Sequence, residues 1–202
     1  MDDSDEIRIA TWADEPKIGA LLCLAFATDP MVRWLLPDPY NFFKSNEKYA
    51  RLSSGPAFDN GSAYVIGNMY GAALWLPPGV EVDSGLVAGF VNPKANPAVL
   101  DDFAALVEKS GAYRPVEPHW YLTLIAVDPI KRGRGYGAAL MSHALKICDR
   151  DKRPAYLEST NPANLSLYKR FGFDLLTEVR IRQATCPVSN DTPATVAVIA
   201  SH

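Results

Sequence analysis

Trp120-Tyr121-Leu122-Thr123-Leu124-Ile125-Ala126-Val127-Asp128-Pro129-Ile130-Lys131-Arg132-Gly133-Arg134-Gly135-Tyr136-Gly137-Ala138 is the stretch on which the fold turns. Trp120–Val127 is almost continuously apolar, the pattern of a strand covered on both faces and central in its sheet. Asp128-Pro129 stops it. A helix follows at roughly Tyr136–Asp149, with Leu140, Met141, Ala144, Leu145 and Cys148 on one stripe. Between them, glycines let backbone N–H groups take positive φ and approach a ligand closely. The helix start adds unpaired donors and a partial positive charge worth ~0.3–1 kcal/mol. With the guanidinium groups of Arg132 and Arg134, this is a nest for a diphosphate. The segment is not GxxxxGK[ST], lacking the lysine and the magnesium-gripping hydroxyl. Nor is it GxGxxG on a first strand with an acidic ribose partner.

Working backward, Glu6–Thr11 alternates as an opening strand. Asp14 is placed to cap a helix with the stripe Ile18, Leu21, Leu22, Ala25, which Asp29-Pro30 ends. Met31–Pro37 is apolar but broken by prolines, and Asn41–Ser53 reads as a second helix. Ser62–Ile66 and Tyr70–Leu76 are strands around a Gly67-Asn68 turn. Asn96-Pro97 starts a helix with Val99, Leu100, Phe103 and Val107 on one side and Gly111 just past its end. Working forward, Ala155–Glu158 is a short strand, Pro162–Phe171 a short helix stopped by Gly172, and Phe173–Arg182 and Thr195–Ala200 are closing strands. The order is mixed α and β in one domain.

Composition narrows the function. The chain has 202 residues, 48% hydrophobic and 21% charged, with a net charge of -3 and no long basic run, so a small-molecule partner is expected rather than nucleic acid or an anionic membrane. No apolar run approaches the ~18 residues of a membrane span, and the acidic N-terminus is unlike a signal peptide. Cys23, Cys148 and Cys186 are widely spaced and form no CxxC pair, so neither zinc nor a disulfide framework is indicated, and a reducing cytoplasm is expected.

Two motifs carry a family resemblance. Ile125-Ala126-Val127-Asp128-Pro129 followed by Arg132-x-x-Gly135-x-Gly137 resembles the acetyl-CoA motif R/Q-x-x-G-x-G/A of the GCN5-related (GNAT) N-acetyltransferases. Leu157-Glu158-Ser159-Thr160, Asn164 and Leu167-Tyr168-Lys169-Arg170-Phe171-Gly172-Phe173 are similar to that family's later motif. Ala25–Pro30 and Leu74–Pro78 look like the puromycin N-acetyltransferase branch. The resemblance implies an α+β-like α/β fold, with a mostly antiparallel twisted sheet splayed at the acetyl-CoA site. It implies one domain over 1–202: acceptor-side helices and hairpin (1–118), an acetyl-CoA-binding core (119–184) and a closing strand (185–202). Acetyl-CoA is the implied co-substrate, its diphosphate on the amides from Gly133 through Arg134, Gly135, Tyr136 and Gly137 to Ala138. Its pantetheine arm would pair with the backbone of Ile125, Ala126 and Val127. Asn164, with Asn161 in reserve, would serve the cofactor. Four residues apart on a helix, Asn164 and Tyr168 would share a face.

The family acetylates by direct attack, so no catalytic cysteine or metal is required, and Tyr168 is the implied donor to the departing thiolate. Glu158 is the first candidate base and His119 the second. His143 and His202 attract no role. Trp75, Trp34 and Phe26, with Trp120 and Tyr64, are candidate walls of an acceptor pocket, although aromatics equally build cores. The expected activity is acetyl transfer to a small amine, a xenobiotic or antibiotic-like molecule among the candidates. A non-catalytic acyl-CoA sensor, an O-acetyltransferase or a transferase of another acyl group remain alternatives, and a homodimer is compatible with all of them.

Overall fold

The computed structural model describes residues 5–82, 97–181 and 194–201. Asn96, Cys186 and His202 lie outside them. In chain order the elements are β1 Ile7–Ile9, α1 Glu15–Phe26, α2 Pro30–Leu35, α3 Pro39–Asp59, β2 Ala63–Ile66 and β3 Gly71–Leu76. There follow α4 Pro97–Gly111, β4 Trp120–Val127, α5 Tyr136–Asp151, β5 Ala155–Ser159, α6 Leu165–Arg170, β6 Phe173–Ile181 and β7 Ala194–Ser201. The strands form one sheet in the order β1-β2-β3-β4-β5-β7-β6. Every neighbouring pair is antiparallel except β4 with β5. The mixed α/β architecture expected from sequence is therefore present, with β4 at its centre.

Three apolar clusters cover the sheet. On one face Leu140, Met141, Ala144 and Cys148 of α5 and Tyr168 of α6 pack on Trp75, Trp120, Leu122 and Leu157. The opposite face carries two clusters. One joins Ile18, Leu21 and Leu22 of α1 to Val65, Leu74 and Leu124, and the other joins Trp34, Phe42 and Leu106 to Tyr156 and Val198. Each fully buried Leu or Met contributes about 1.5–3 kcal/mol.

β4 departs from the sequence expectation in one informative respect. Leu74 pairs with Leu124 but Trp75 with Leu122, so Thr123 is an extra residue, a β-bulge, and its hydroxyl donates to the Leu74 carbonyl at 3.0 Å. The bulge swaps the faces. Trp120 and Leu122 join the α5 side, whereas beyond Thr123 it is Ile125 and Val127 that face α5 while Leu124 and Ala126 turn to α1. Burial alternates between buried and half-buried rather than being complete on both faces. A bulge also bends its strand and increases the local twist. The bend comes where β4 leaves β5.

The N-terminal helices correct three expectations. Asp29-Pro30 starts a helix as well as ending one, because the Asp29 carboxylate accepts from the Met31 and Val32 amides and Pro30 occupies the first helical turn. Asp38-Pro39 repeats the device, so the helix placed at Asn41–Ser53 runs from Pro39 to Asp59. Asp14 makes no side-chain cap to α1. Its carboxylate is held by both terminal nitrogens of Arg8 at 2.7 Å and by the Thr11 amide at 2.9 Å.

Those contacts, the Arg8 hydrogen bonds above all, hold the Asp14 carboxyl well below the usual carboxylate range. A depressed folded pKa contributes stability that is present above the unfolded value of about 3.9 and is lost as pH falls through the folded value. Asp14→Asn is expected to cost roughly 1–3 kcal/mol at pH 7, near the lower end because Arg8 is half-exposed. Urea titrations at pH 7 and pH 3 check it: the gap between the two proteins narrows at the lower pH.

Candidate functional site

The ladder between β4 and β5 contains Trp120–Ala155, Tyr121–Tyr156 and Leu122–Leu157. β4 then continues to Val127 against β3, while β5 continues to Ser159 against β7. The two parallel strands part after Leu122, leaving a wedge edged by the main chain of β4. An extended chain bearing amides can add to such an edge through main-chain hydrogen bonds.

At the open end of β4 stands the Gly/Arg loop. The Asp128 carboxylate accepts from the Ile130 amide at 3.0 Å and turns the chain. Gly133 and Gly135 take φ of +78° and +85°, and a Cβ at either would meet nothing within 4 Å. Open space on both glycines and an exposed backbone directly before α5 fit a bulky anion seated on the amides. Arg132 is turned away from the nest, donating to the Ala25 carbonyl near the end of α1 at 2.9 Å. Arg134 is exposed on the loop. The Tyr136 ring is buried, and its hydroxyl donates to Asp5 at 3.1 Å.

The wedge is flanked by different chemistry on its two sides. On the α5 side lies Tyr168, 4% exposed, its ring edge-on to Phe173 at 6.2 Å. Burial pushes its phenol up to about 12, opposed by a hydrogen bond with Ser159. The Ser159 hydroxyl in turn donates to the Asn161 carbonyl at 3.1 Å. Asn161 is a cap, its side chain accepting from the Ala163 amide at 3.0 Å. Asn164 closes a 3-10 turn ahead of α6 and is exposed, so the four-residue spacing does not put it in the buried setting of Tyr168. The change of helical period between the two residues is the reason.

On the other side β5 presents Tyr156 and Glu158. The Tyr156 hydroxyl donates to Glu158 Oε1 at 2.7 Å, and Arg114 reaches the same hydroxyl. Burial first, then the Glu158 charge, raise the Tyr156 phenol far above its ordinary value, so it stays a neutral donor. His119 packs edge-on to Tyr156 at 5.5 Å, with its Nδ1 against the Glu117 carbonyl at 2.8 Å. Trp34 lies in the same cluster, and Phe26 is half-buried on α1.

Trp75 is not part of this surface. It is wholly buried on the α5 side, its indole N–H without a partner among the described residues, and Tyr64 and Trp120 share that cluster. The pattern of alternation put Trp75 on a strand without saying which layer lay above it. Cys148 is buried on α5, where desolvation pushes its thiol up to about 12, unsuited to nucleophilic work. Among the described residues no group of three His, Cys, Asp or Glu gathers to hold a metal ion, and no helix is long and apolar enough to cross a membrane.

Sequence reasoning passed over Asp29. It is 5% exposed, and its second oxygen accepts from the Thr160 hydroxyl at 2.8 Å, joining the α1–α2 turn to the end of β5 beside the wedge. Arg114, Tyr121 and Ser159 were missed as well. The one local signal was the alternation of Tyr156 with Glu158, which puts both on one face.

A central strand parting from its parallel neighbour, and a glycine turn of positive φ opening onto a helix, mark the fold of an acyltransferase. Residues 30–173 match the model of the Acetyltransferase (GNAT) family, and the chain belongs to that family. It is thus an N-acetyltransferase by family, of a kind that uses acetyl-CoA. The chain is similar to the uncharacterised N-acetyltransferase C550.08 of Schizosaccharomyces pombe, 26% identical over 180 residues, covering 79% of this chain and 70% of that protein. Among solved structures, a histone acetyltransferase HPA2-related acetyltransferase of Corynebacterium glutamicum superposes with a TM-score of 0.65 at 28% identity, over 98% of this chain and 95% of the other. The polyamine N-acetyltransferase of Drosophila melanogaster, which forms N-acetylagmatine, shares the fold with a TM-score of 0.69 at 16% identity, over 98% and 99%.

Proposed function

We propose that this enzyme transfers acetyl from acetyl-CoA to the primary amine of a small molecule by direct attack. The observation that carries the reading is that Glu158 and Tyr168 flank the wedge from opposite faces of the sheet. An amine entering on one face and a thiolate leaving toward the other need a base and a hydrogen-bond donor so arranged. The Gly133–Ala138 backbone and Arg134 would hold the diphosphate, and the free edge at Ile125–Val127 the pantetheine arm, with acetyl-CoA supplying the activated acyl group.

The acceptor reacts as its neutral amine, and Glu158 takes the proton that the nitrogen sheds on attack. Supplying neutral alkylamine at pH 7 costs about 4–5 kcal/mol, which desolvation of the ammonium on entry offsets in part. The nitrogen then bonds to the acyl carbon as the carbon–sulfur bond breaks. Tyr168 donates to the sulfur as charge grows there. With its phenol near 12 and a thiol near 8.5, complete proton transfer is uphill by about 5 kcal/mol, so Tyr168 works as a strengthening hydrogen bond. Asp29 positions the turn after β5 through Thr160, and His119 braces Tyr156. The acetylagmatine-forming relative and the likeness of Ala25–Pro30 to the puromycin N-acetyltransferase branch support a small amine as acceptor. The net charge of -3 without a long basic run supports a partner other than nucleic acid, and the widely spaced cysteines support a reducing, cytoplasmic setting.

The test is a panel of amines, alcohols and acyl-CoAs assayed by release of free thiol. Turnover with acetyl-CoA and at least one amine is expected. Tight CoA binding without turnover on any amine would replace the proposal with a sensor. Turnover confined to alcohols or to longer acyl groups would replace it with another transferase.

A further inference from the structure

Arg114 reaches the acceptor face from the segment between α4 and β4. Its guanidinium carbon lies 4.7 Å from the centroid of the Tyr121 ring and 5.6 Å from that of Tyr156. The two tyrosines are direct partners in the β4–β5 ladder, one step before Leu122–Leu157, the last pair ahead of the wedge. Glu158 stands two residues further along the same face, its carboxylate close enough to act on Arg114 through space. Two aromatic faces and a carboxylate around one guanidinium make a cation site. Here the protein fills it with its own side chain.

The hold of Glu158 on that side chain is indirect. Arg114 is solvent-exposed as a residue. Among the described residues its guanidinium makes no ion pair within 4 Å. What retains it is ring contact, the neutral Tyr156 hydroxyl and the Glu158 charge acting through space. An anionic acceptor group brought to this place would lie beside Glu158 and be repelled. A cationic group exchanged for Arg114 leaves the local charge unchanged and recovers the same ring faces.

We propose that Arg114 is an internal stand-in for a cationic tail of the acceptor, a guanidinium or ammonium group that displaces it from the Tyr121–Tyr156 rings. This rests on the amine-acetyltransferase reading and adds a substrate class to it: amines carrying a second, distal positive charge. Arg114 then tunes specificity by competing with substrate.

The experiment compares wild type with Arg114→Ala and Arg114→Gln on 4-guanidinobutylamine, butylamine and 4-aminobutyrate, with Tm recorded for each protein. The ratio of kcat/KM for 4-guanidinobutylamine over butylamine is expected to rise about tenfold in both variants, the scale of one desolvated cation–π contact. Ethylguanidinium, which has no primary amine to acetylate, is expected to bind both variants about tenfold more tightly by calorimetry. It should also inhibit wild type competitively against the amine. A ratio that falls or stays level, or a selective loss of 4-aminobutyrate turnover in the variants, overturns the proposal and makes Arg114 an anchor for acidic acceptors. Should the variants fail to fold, absence of ethylguanidinium competition in wild type overturns it alone. Failure of every amine in wild type would remove the acetyltransferase reading, while ethylguanidinium binding would still test the cation site.

Discussion

Tyr168→Phe is expected to lower kcat by about 100-fold with little change in KM for acetyl-CoA. Removing one hydrogen bond made to charge that appears only in the transition state costs 10²–10³ in comparable cases. The ring is 4% exposed and packs against Phe173, so Phe keeps the packing and loses only the hydroxyl. A change confined to kcat is the signature of that loss. Steady-state kinetics with saturating amine give the answer, and an unchanged kcat would take Tyr168 out of the reaction. Its raised pKa has a further consequence. The folded value of about 12 lies above the ordinary 10, so the phenol's contribution to stability is complete below pH 10 and lost as pH rises through 12. No alkaline limb of activity below about pH 11 can therefore come from Tyr168.

Glu158→Gln is the second large effect: kcat/KM falls by about 100-fold or more, and the acid limb of the pH–rate profile flattens. The substitution is nearly isosteric, and the glutamine oxygen can still accept from the Tyr156 hydroxyl that holds Glu158 at 2.7 Å. Charge and basicity change while position does not. A neutral-pH rate close to wild type, with the acid limb intact, would move the base elsewhere, with His119 and Asp29 next to be tested.

The parts legible in the sequence were those whose physics is local. Trp120–Val127 followed by Gly133, Gly135 and the Leu140–Cys148 stripe specified a central strand, a glycine turn of positive φ and an amphipathic helix, and all three are present. The splay was an expectation drawn from family likeness, and the ladder ending at Leu122–Leu157 agrees with it. Other features were hidden for reasons that can be named. Asp-Pro signals either the end of one helix or the start of the next: in sequence Asp29-Pro30 read only as an end, and Asp38-Pro39, which starts α3, was given no meaning. The bulge at Thr123 carries no glycine to announce it, yet it decides which residues of β4 face α5. Trp75 could not be assigned to a layer by alternation alone. The arrangement of Arg114, Tyr121, Tyr156 and Glu158 joins a loop to two strands, and no spacing in the chain encodes such a meeting.

Amide hydrogen exchange with and without saturating CoA tests the central claim most directly. If donor and main chain meet as described, exchange slows at Ile125–Val127 along the open edge of β4 and at Gly133–Ala138 ahead of α5, while β1–β2 is unaffected. Unchanged exchange in both segments under saturating CoA would contradict the account, whatever activity the enzyme shows.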